Sequence, residues 1–301
     1  MRSALVLGPG GPVGTAWLAG LAAGLRRERV DLGAVDLIVG TSAGAIVGAI
    51  LACGGDLDRL ATLPGSGSGV RADLRSVTET GREEPAGARD DPGRLAEAGR
   101  GEAVEVRSDP ERLAEVFAVL GDARLDRAEA VRRVGRLAVL ASAGEEETVI
   151  AGMRYLVGGA DWPDRPLLIP AVDAETGEAV VWDRDGAASL PQAVAASIAF
   201  PATAPPITIG GRRYIDGALR AGLNVDLAGA ADLLIVAEPM AHLSGETTAD
   251  ERAVRLVPDA EAIAAFGPDI TDRAAWAPAY AAGVRQAPAA ARQIGSRLAA
   301  G

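Results

Sequence analysis

The hydrophobic pattern opens with two uncharged stretches, Ala4 to Leu25 and Leu37 to Gly55. Each is about long enough to span a bilayer. The first, however, carries Gly8-Pro9-Gly10-Gly11-Pro12 and Gly14 in one block, and the second breaks at Gly40-Thr41-Ser42. Each therefore reads as a buried strand, a glycine turn and a helix. Ser3 to Leu7 and Val35 to Val39 are the strands; Thr15 to Arg27 and Ala43 to Ala52 are the helices. This alternation predicts an α/β fold with a mostly parallel central sheet flanked by helices.

The pattern loosens after Leu63. Pro64 to Gly69 is rich in Gly and Ser, and Glu79 to Pro110 is charged with scattered Gly and Pro. We read 64–145 as a variable, partly flexible insertion, a helical or lid region within one domain spanning 1–301. Ser108-Asp109-Pro110-Glu111 marks a helix start. Helical patterns continue to Leu120 and from Asp126 to Ala141, and Glu145-Glu146-Glu147 opens another helix. Leu167 to Val172 and Ala179 to Trp182 form a two-strand unit about Thr176-Gly177. Ser189 and Gln192 form a capping box before a helix over Pro191 to Ile198. Gly210-Gly211 joins Ile207–Ile209 to Arg212–Ile215 as a hairpin, and Asp216-Gly217 ends its second strand. Leu233 to Ala237 is a further buried strand. The Ala-rich region 271–301 reads as a helical tail divided at Pro278 and Pro288.

Composition narrows the chemistry. The chain has 301 residues and a net charge of -11. Every one of its 30 basic residues is Arg. No basic run exists to neutralise phosphates, which excludes nucleic acid as a partner. The charge also opposes electrostatic attraction to anionic membranes. The lack of Lys excludes any mechanism with a catalytic lysine. One cysteine, Cys53, and one histidine, His242, leave no disulfide and no cluster for zinc. We expect neither metal nor cofactor. The start of the chain has no convincing signal peptide, so a cytoplasmic protein is expected.

Gly40-Thr41-Ser42-Ala43-Gly44 is a G-x-S-x-G sequence between strand and helix. Such a turn presents a strained serine above a helix N-terminus, whose field favours developing negative charge. Ser42 is the candidate nucleophile, with Gly40 and Gly44 as the flanking glycines of the elbow. The Gly8–Gly14 block admits three readings. A phosphate-binding P-loop needs a lysine. A dinucleotide fingerprint needs a glycine where Val13 stands, and an acidic end to the second strand. What remains is an oxyanion hole of backbone N–H groups. Pro9 and Pro12 cannot donate. The donors are thus Gly10, Gly11, Val13 or Gly14, with Gly10 and Gly11 favoured. The base is His242 or an aspartate. His242 completes the residue order of an α/β-hydrolase, but Ser42 follows the second strand rather than a later one. Asp216, at a hairpin end beside Gly217, is a rigidly held alternative. Asn224, soon after it, reads as a turn residue or a brace of that loop.

Three segments together resemble the patatin-like phospholipases: Leu5–Gly11 with Gly14, Gly40–Gly44, and Ala195–Pro201 running through Pro205-Pro206 to Tyr214-Ile215-Asp216-Gly217-Ala218. They occur in family order. The resemblance implies a Ser42–Asp216 dyad, an oxyanion hole at Gly10 and Gly11 supported by Gly14, and metal-free hydrolysis of acyl esters in lipids. The expected partner is a lipid or acyl-ester substrate, met through transient peripheral membrane contact. The chain departs from the family at Val13, where a basic residue is usual, and at Pro9, often a glycine. Phe200-Pro201, Pro205-Pro206 and Leu63 to Leu140 are candidates for an acyl-chain wall. A catalytically idle lipid-binding relative and a nucleotide-binding domain are the competing classes.

Overall fold

The computed structural model describes residues 1–63, 110–141, 146–159, 161–244, 250 and 253–300. In chain order the elements are β1 (Ser3–Leu7), α1 (Gly11–Arg27), β2 (Leu37–Gly40), α2 (Ala43–Ala52), α3 (Pro110–Leu120), α4 (Arg127–Ala141), α5 (Glu146–Val157), β3 (Leu167–Asp173), β4 (Ala179–Trp182), α6 (Leu190–Ser197), β5 (Ile207–Ile209), β6 (Arg212–Asp216), α7 (Ala218–Ala221), β7 (Leu233–Ala237), α8 (Ala241–Ser244), β8 (Ala253–Leu256), α9 (Ala260–Phe266) and α10 (Trp276–Ala300).

One mixed sheet runs β5-β6-β3-β2-β1-β7-β8, with β4 paired to β3. The contacts among β3, β2, β1, β7 and β8 are parallel. Those of β3 with β4 and β6, and of β5 with β6, are antiparallel. The continuous apolar runs have a physical reason: both faces of the central strands are buried. Leu5, Leu7, Ile38 and Ile235 enter the main core with α1, α2, α5, α6 and α10. Ala4, Val6, Val39, Leu234 and Val236 enter a second cluster on the opposite face. A third cluster joins Val116, Val131, Val134 and Ala138 of α3 and α4 to Ile215 and Leu219, which flank Asp216.

The structure departs from the sequence reading in three places. α1 begins at Gly11, not Thr15, because Pro12 fits the first turn, where its missing N–H costs nothing. The C-terminal region is not divided at Pro288, which lies inside one helix. Pro288 forfeits a single helical bond, and packing on α1 sustains the helix through it. Gly283 of α10 lies so close to α1 that an added Cβ would sit 2.2 Å from the Trp17 carbonyl. β8 and α9 lie where the hydrophobic pattern predicts no element. Of the expected insertion over 64–145, the described part, 110–141, is the α3–α4 hairpin; 64–109 and 142–145 lie outside the described residues.

Candidate active site

The register of the sheet brings two distant segments together. Val39 of β2 lies opposite Leu168 of β3, and three residues further along β3, Ala171 lies opposite Asp216 of β6. Ser42, three residues past Val39, therefore emerges at the level of Asp216. The Ser42 hydroxyl donates to Asp216 Oδ2 at 2.8 Å. Both side chains are buried.

Ser42 has φ 53° and ψ −116°, a conformation that side chains other than glycine rarely adopt. Strain of this kind costs on the order of 1–3 kcal/mol and persists only where neighbours hold it. Here Ser197 Oγ accepts the Ser42 N–H at 3.0 Å, and Thr41 N–H donates to the Leu7 carbonyl at 3.0 Å. Gly44 is required by close approach, since a Cβ there would lie 2.0 Å from the Leu7 carbonyl oxygen. Gly40 faces Gly44, Gly217 packs on the Pro170 carbonyl, and Gly14 lies under Pro239.

Asp216 Oδ1 accepts the Ala218 N–H at 2.8 Å, and its own N–H donates to the Ala199 carbonyl at 3.0 Å. Burial pushes its carboxyl up from 3.8 to about 7, against the opposing pull of the Ala218 N–H and the Ser42 hydroxyl. A carboxyl titrating there is a far better proton acceptor at neutral pH than an ordinary aspartate.

The four possible donors of the glycine block separate cleanly. Val13 N–H is engaged by the Ile270 carbonyl at 3.4 Å, and Gly14 N–H by the Gly10 carbonyl at 2.9 Å. Gly10 and Gly11 N–H groups have no hydrogen-bond partner among the described residues. Gly11 has φ +57°, and a Cβ there would meet the Ile270 carbonyl at 3.0 Å. The block is tied to the nucleophile turn by the bond from Gly44 N–H to the Gly8 carbonyl, 3.2 Å.

His242 lies apart. It is exposed on α8, its ring centroid 6.1 Å from that of Phe266, and it bonds to neither Ser42 nor Asp216. Sequence marks Ser197 only as a member of the Ala195–Pro201 segment, and its Ala-Ala-Ser-Ile setting resembles any small-residue helix end. Asn224, by contrast, is both a turn residue, at φ 56°, and a fully buried brace. Phe200 packs on Phe117 of α3, 5.9 Å between centroids. Beside them a cavity of about 170 Å³ is lined by Val116, Leu137, Ala138, Leu140, Pro201 and Ala202, with Arg112 and Glu115 as polar neighbours. Among the described residues, no group of three or more His, Cys, Asp or Glu is placed to hold a metal ion. Nor is any described helix long and apolar enough to cross a membrane.

A family model described as patatin-like phospholipase matches residues 5–228. The chain belongs to the patatin-like phospholipase family. The match spans β1 through the turn after α7, and so includes Ser42, Asp216 and the glycine block. The solved structures similar to this patatin-like chain include ExoU and VipD. The type III effector protein ExoU is 20% identical, covering 98% of this chain and 53% of its own, with a TM-score of 0.38. VipD from Legionella pneumophila is 12% identical, covering 98% of this chain and 67% of its own, with a TM-score of 0.41. The chain thus spans about half the length of ExoU. No curated protein sequence matches it.

Proposed function

We propose that this patatin-like protein is a serine lipid acyl hydrolase working through Ser42 and Asp216. The observation that carries the reading is the 2.8 Å bond from the Ser42 hydroxyl to a buried carboxylate. Asp216 takes the Ser42 proton as Ser42 Oγ attacks the ester carbonyl. The free N–H groups of Gly10 and Gly11 hold the oxyanion, helped by the N-termini of α1 and α2. The alkoxide leaves with the proton from Asp216. Water then attacks the acyl-enzyme with Asp216 accepting its proton, and the acyl–Ser42 bond breaks as that proton returns to Ser42 Oγ and the carboxylic acid departs. Backbone donors survive the departures at Pro9 and Val13, so those bear on substrate preference. The groove beside Phe200 and Pro201 supports an acyl-chain wall on this side of the dyad. Leu140, which lines it, and Phe117, which packs on Phe200, are 84% and 55% exposed and support transient contact with a lipid surface.

Turnover of short p-nitrophenyl esters tests the assignment. Ser42→Ala and Asp216→Asn should be nearly inactive, and His242→Ala nearly normal. Loss of activity in His242→Ala with an intact fold would restore the histidine as base. Ser42→Ala turning over like the parent would end the reading.

A further inference from the structure

Asn224 is fully buried, and its carboxamide reaches the chain neighbours of both dyad residues. Its Nδ2 donates to Thr41 Oγ1 at 3.0 Å, to the Gly217 carbonyl at 3.1 Å and to the Gly222 carbonyl at 3.1 Å. Thr41 immediately precedes the nucleophile and Gly217 immediately follows the base. The orientation of the amide is fixed by chemistry. Arg220 can only donate, and it does so to Asn224 Oδ1 at 2.9 Å, while the two carbonyls can only accept. Arg220 is itself held by Asp226 through two bonds of 2.9 and 2.7 Å. Two N–H groups thus serve three acceptors, one of them shared.

We propose that Asn224 is a positioning residue that sets the separation of Ser42 and Asp216 by joining the nucleophile turn to the base turn. This rests on the Ser42–Asp216 reading of the site. The sheet holds the strand ends, yet Ser42 and Asp216 both lie past the last paired residue of β2 or at the end of β6. The sheet sets the level of the two turns, with Asp216 still paired to Ala171, and side chains fix the separation that remains for Ser42, two residues past Gly40. Asn224 links them directly; Ser197 links them from the other side, its hydroxyl on Ser42 N–H and its carbonyl accepting Gly217 N–H at 3.3 Å. Arg220 and Asp226 keep the carboxamide from rotating.

The claim separates from a merely structural role by where the kinetic loss falls. A misplacement of about 1 Å between reacting groups costs up to roughly 100-fold in rate without changing how substrate is held. Asn224→Gly keeps a residue at ease at positive φ and removes the amide. Asn224→Asp keeps the shape and replaces the donor with an acceptor facing three acceptors. In p-nitrophenyl ester hydrolysis, both should lower kcat by about 10- to 100-fold with KM within about twofold. Thr41→Val, which removes one acceptor at nearly constant shape, should lower kcat several-fold. Combined with Asn224→Gly, it should add little, because the two residues share one interaction. Folded variants, judged by circular dichroism, with kcat within about twofold of the parent, or with the whole loss in KM, would overturn the proposal. If Asn224→Gly does not fold, Thr41→Val decides by the same criteria. The parent enzyme distinguishes the two levels of the argument. An inactive parent with no Ser42 reactivity sinks the dyad itself, and the positioning claim with it. An active parent with unimpaired variants sinks the positioning claim alone.

Discussion

Replacing Asp216 with Asn should make the protein more stable above neutral pH while destroying its activity. The carboxyl is 2% exposed and titrates at about 7 in the folded chain, against 3.8 for an ordinary aspartate. Between those two values the unfolded chain has lost this proton and the folded chain has kept it. The folded state therefore binds more protons there, and stability falls as pH rises through that window. At about 1.36 kcal/mol per unit, the loss is about 4 kcal/mol once pH exceeds 7. An amide carries no such dependence. It retains an oxygen for the Ala218 N–H and presents an N–H to Ser42 Oγ, so both native bonds have counterparts. The clean quantity is the change with pH in the gap between variant and parent, because every other titrating group cancels. From about pH 8 to about pH 5 that gap should shrink by about 2.7 kcal/mol in favour of the parent. In thermal melts this is a relative shift of about 5 °C for a domain of this size. Urea unfolding of both proteins at the two pH values measures it directly. A gap that does not change with pH would refute the burial of an ionised Asp216 and the base strength derived from it.

The same carboxyl sets the acid limb of the rate. kcat/KM should fall about tenfold per unit below about pH 7, where Asp216 becomes protonated and cannot accept the Ser42 proton; a limb near 4 in an initial-rate pH profile would contradict this. Ser197→Ala removes the acceptor of the Ser42 N–H and should cost about 1–3 kcal/mol in urea unfolding, with a several-fold loss of kcat. Gly44→Ala drives a Cβ against the Leu7 carbonyl and should cost about 3 kcal/mol or more. Gly295→Ala, exposed on α10 with nothing within 4 Å, should instead gain about 0.5–1 kcal/mol in the same experiment.

What sequence made legible was local. The runs Ser3–Leu7 and Leu233–Ala237 declare buried strands because both sheet faces are covered. Gly210-Gly211 declares a hairpin because each takes positive φ, and that hairpin delivers Asp216. Pro9 and Pro12 thin the oxyanion candidates by simple loss of donors. What stayed hidden depends on the order of strands. β8 is a four-residue edge strand interrupted by Arg255, which reads as a surface charge until Glu238 is seen to hold it by two bonds of 2.9 Å. The tail looked divisible at Pro288 because periodicity says nothing of the α1 surface that supports α10. Asp216 is favoured over His242 by the early position of Ser42 and by the family resemblance; what sequence does not show is the register of β3 with β6 that sets Asp216 beside Ser42. Ser197 and Asn224 are ordinary helix-end and turn residues by type; only contacts across 155 and 183 positions make them part of the site.

The central claim is that Ser42 is an activated nucleophile. A fluorophosphonate probe, followed by mass mapping of the adduct, tests it most directly. The account predicts a single adduct on Ser42, fast in the parent at about pH 8, strongly slowed in Asp216→Asn and absent in Ser42→Ala. An adduct on another serine, or labelling of Ser42 at the same rate without Asp216, would contradict it.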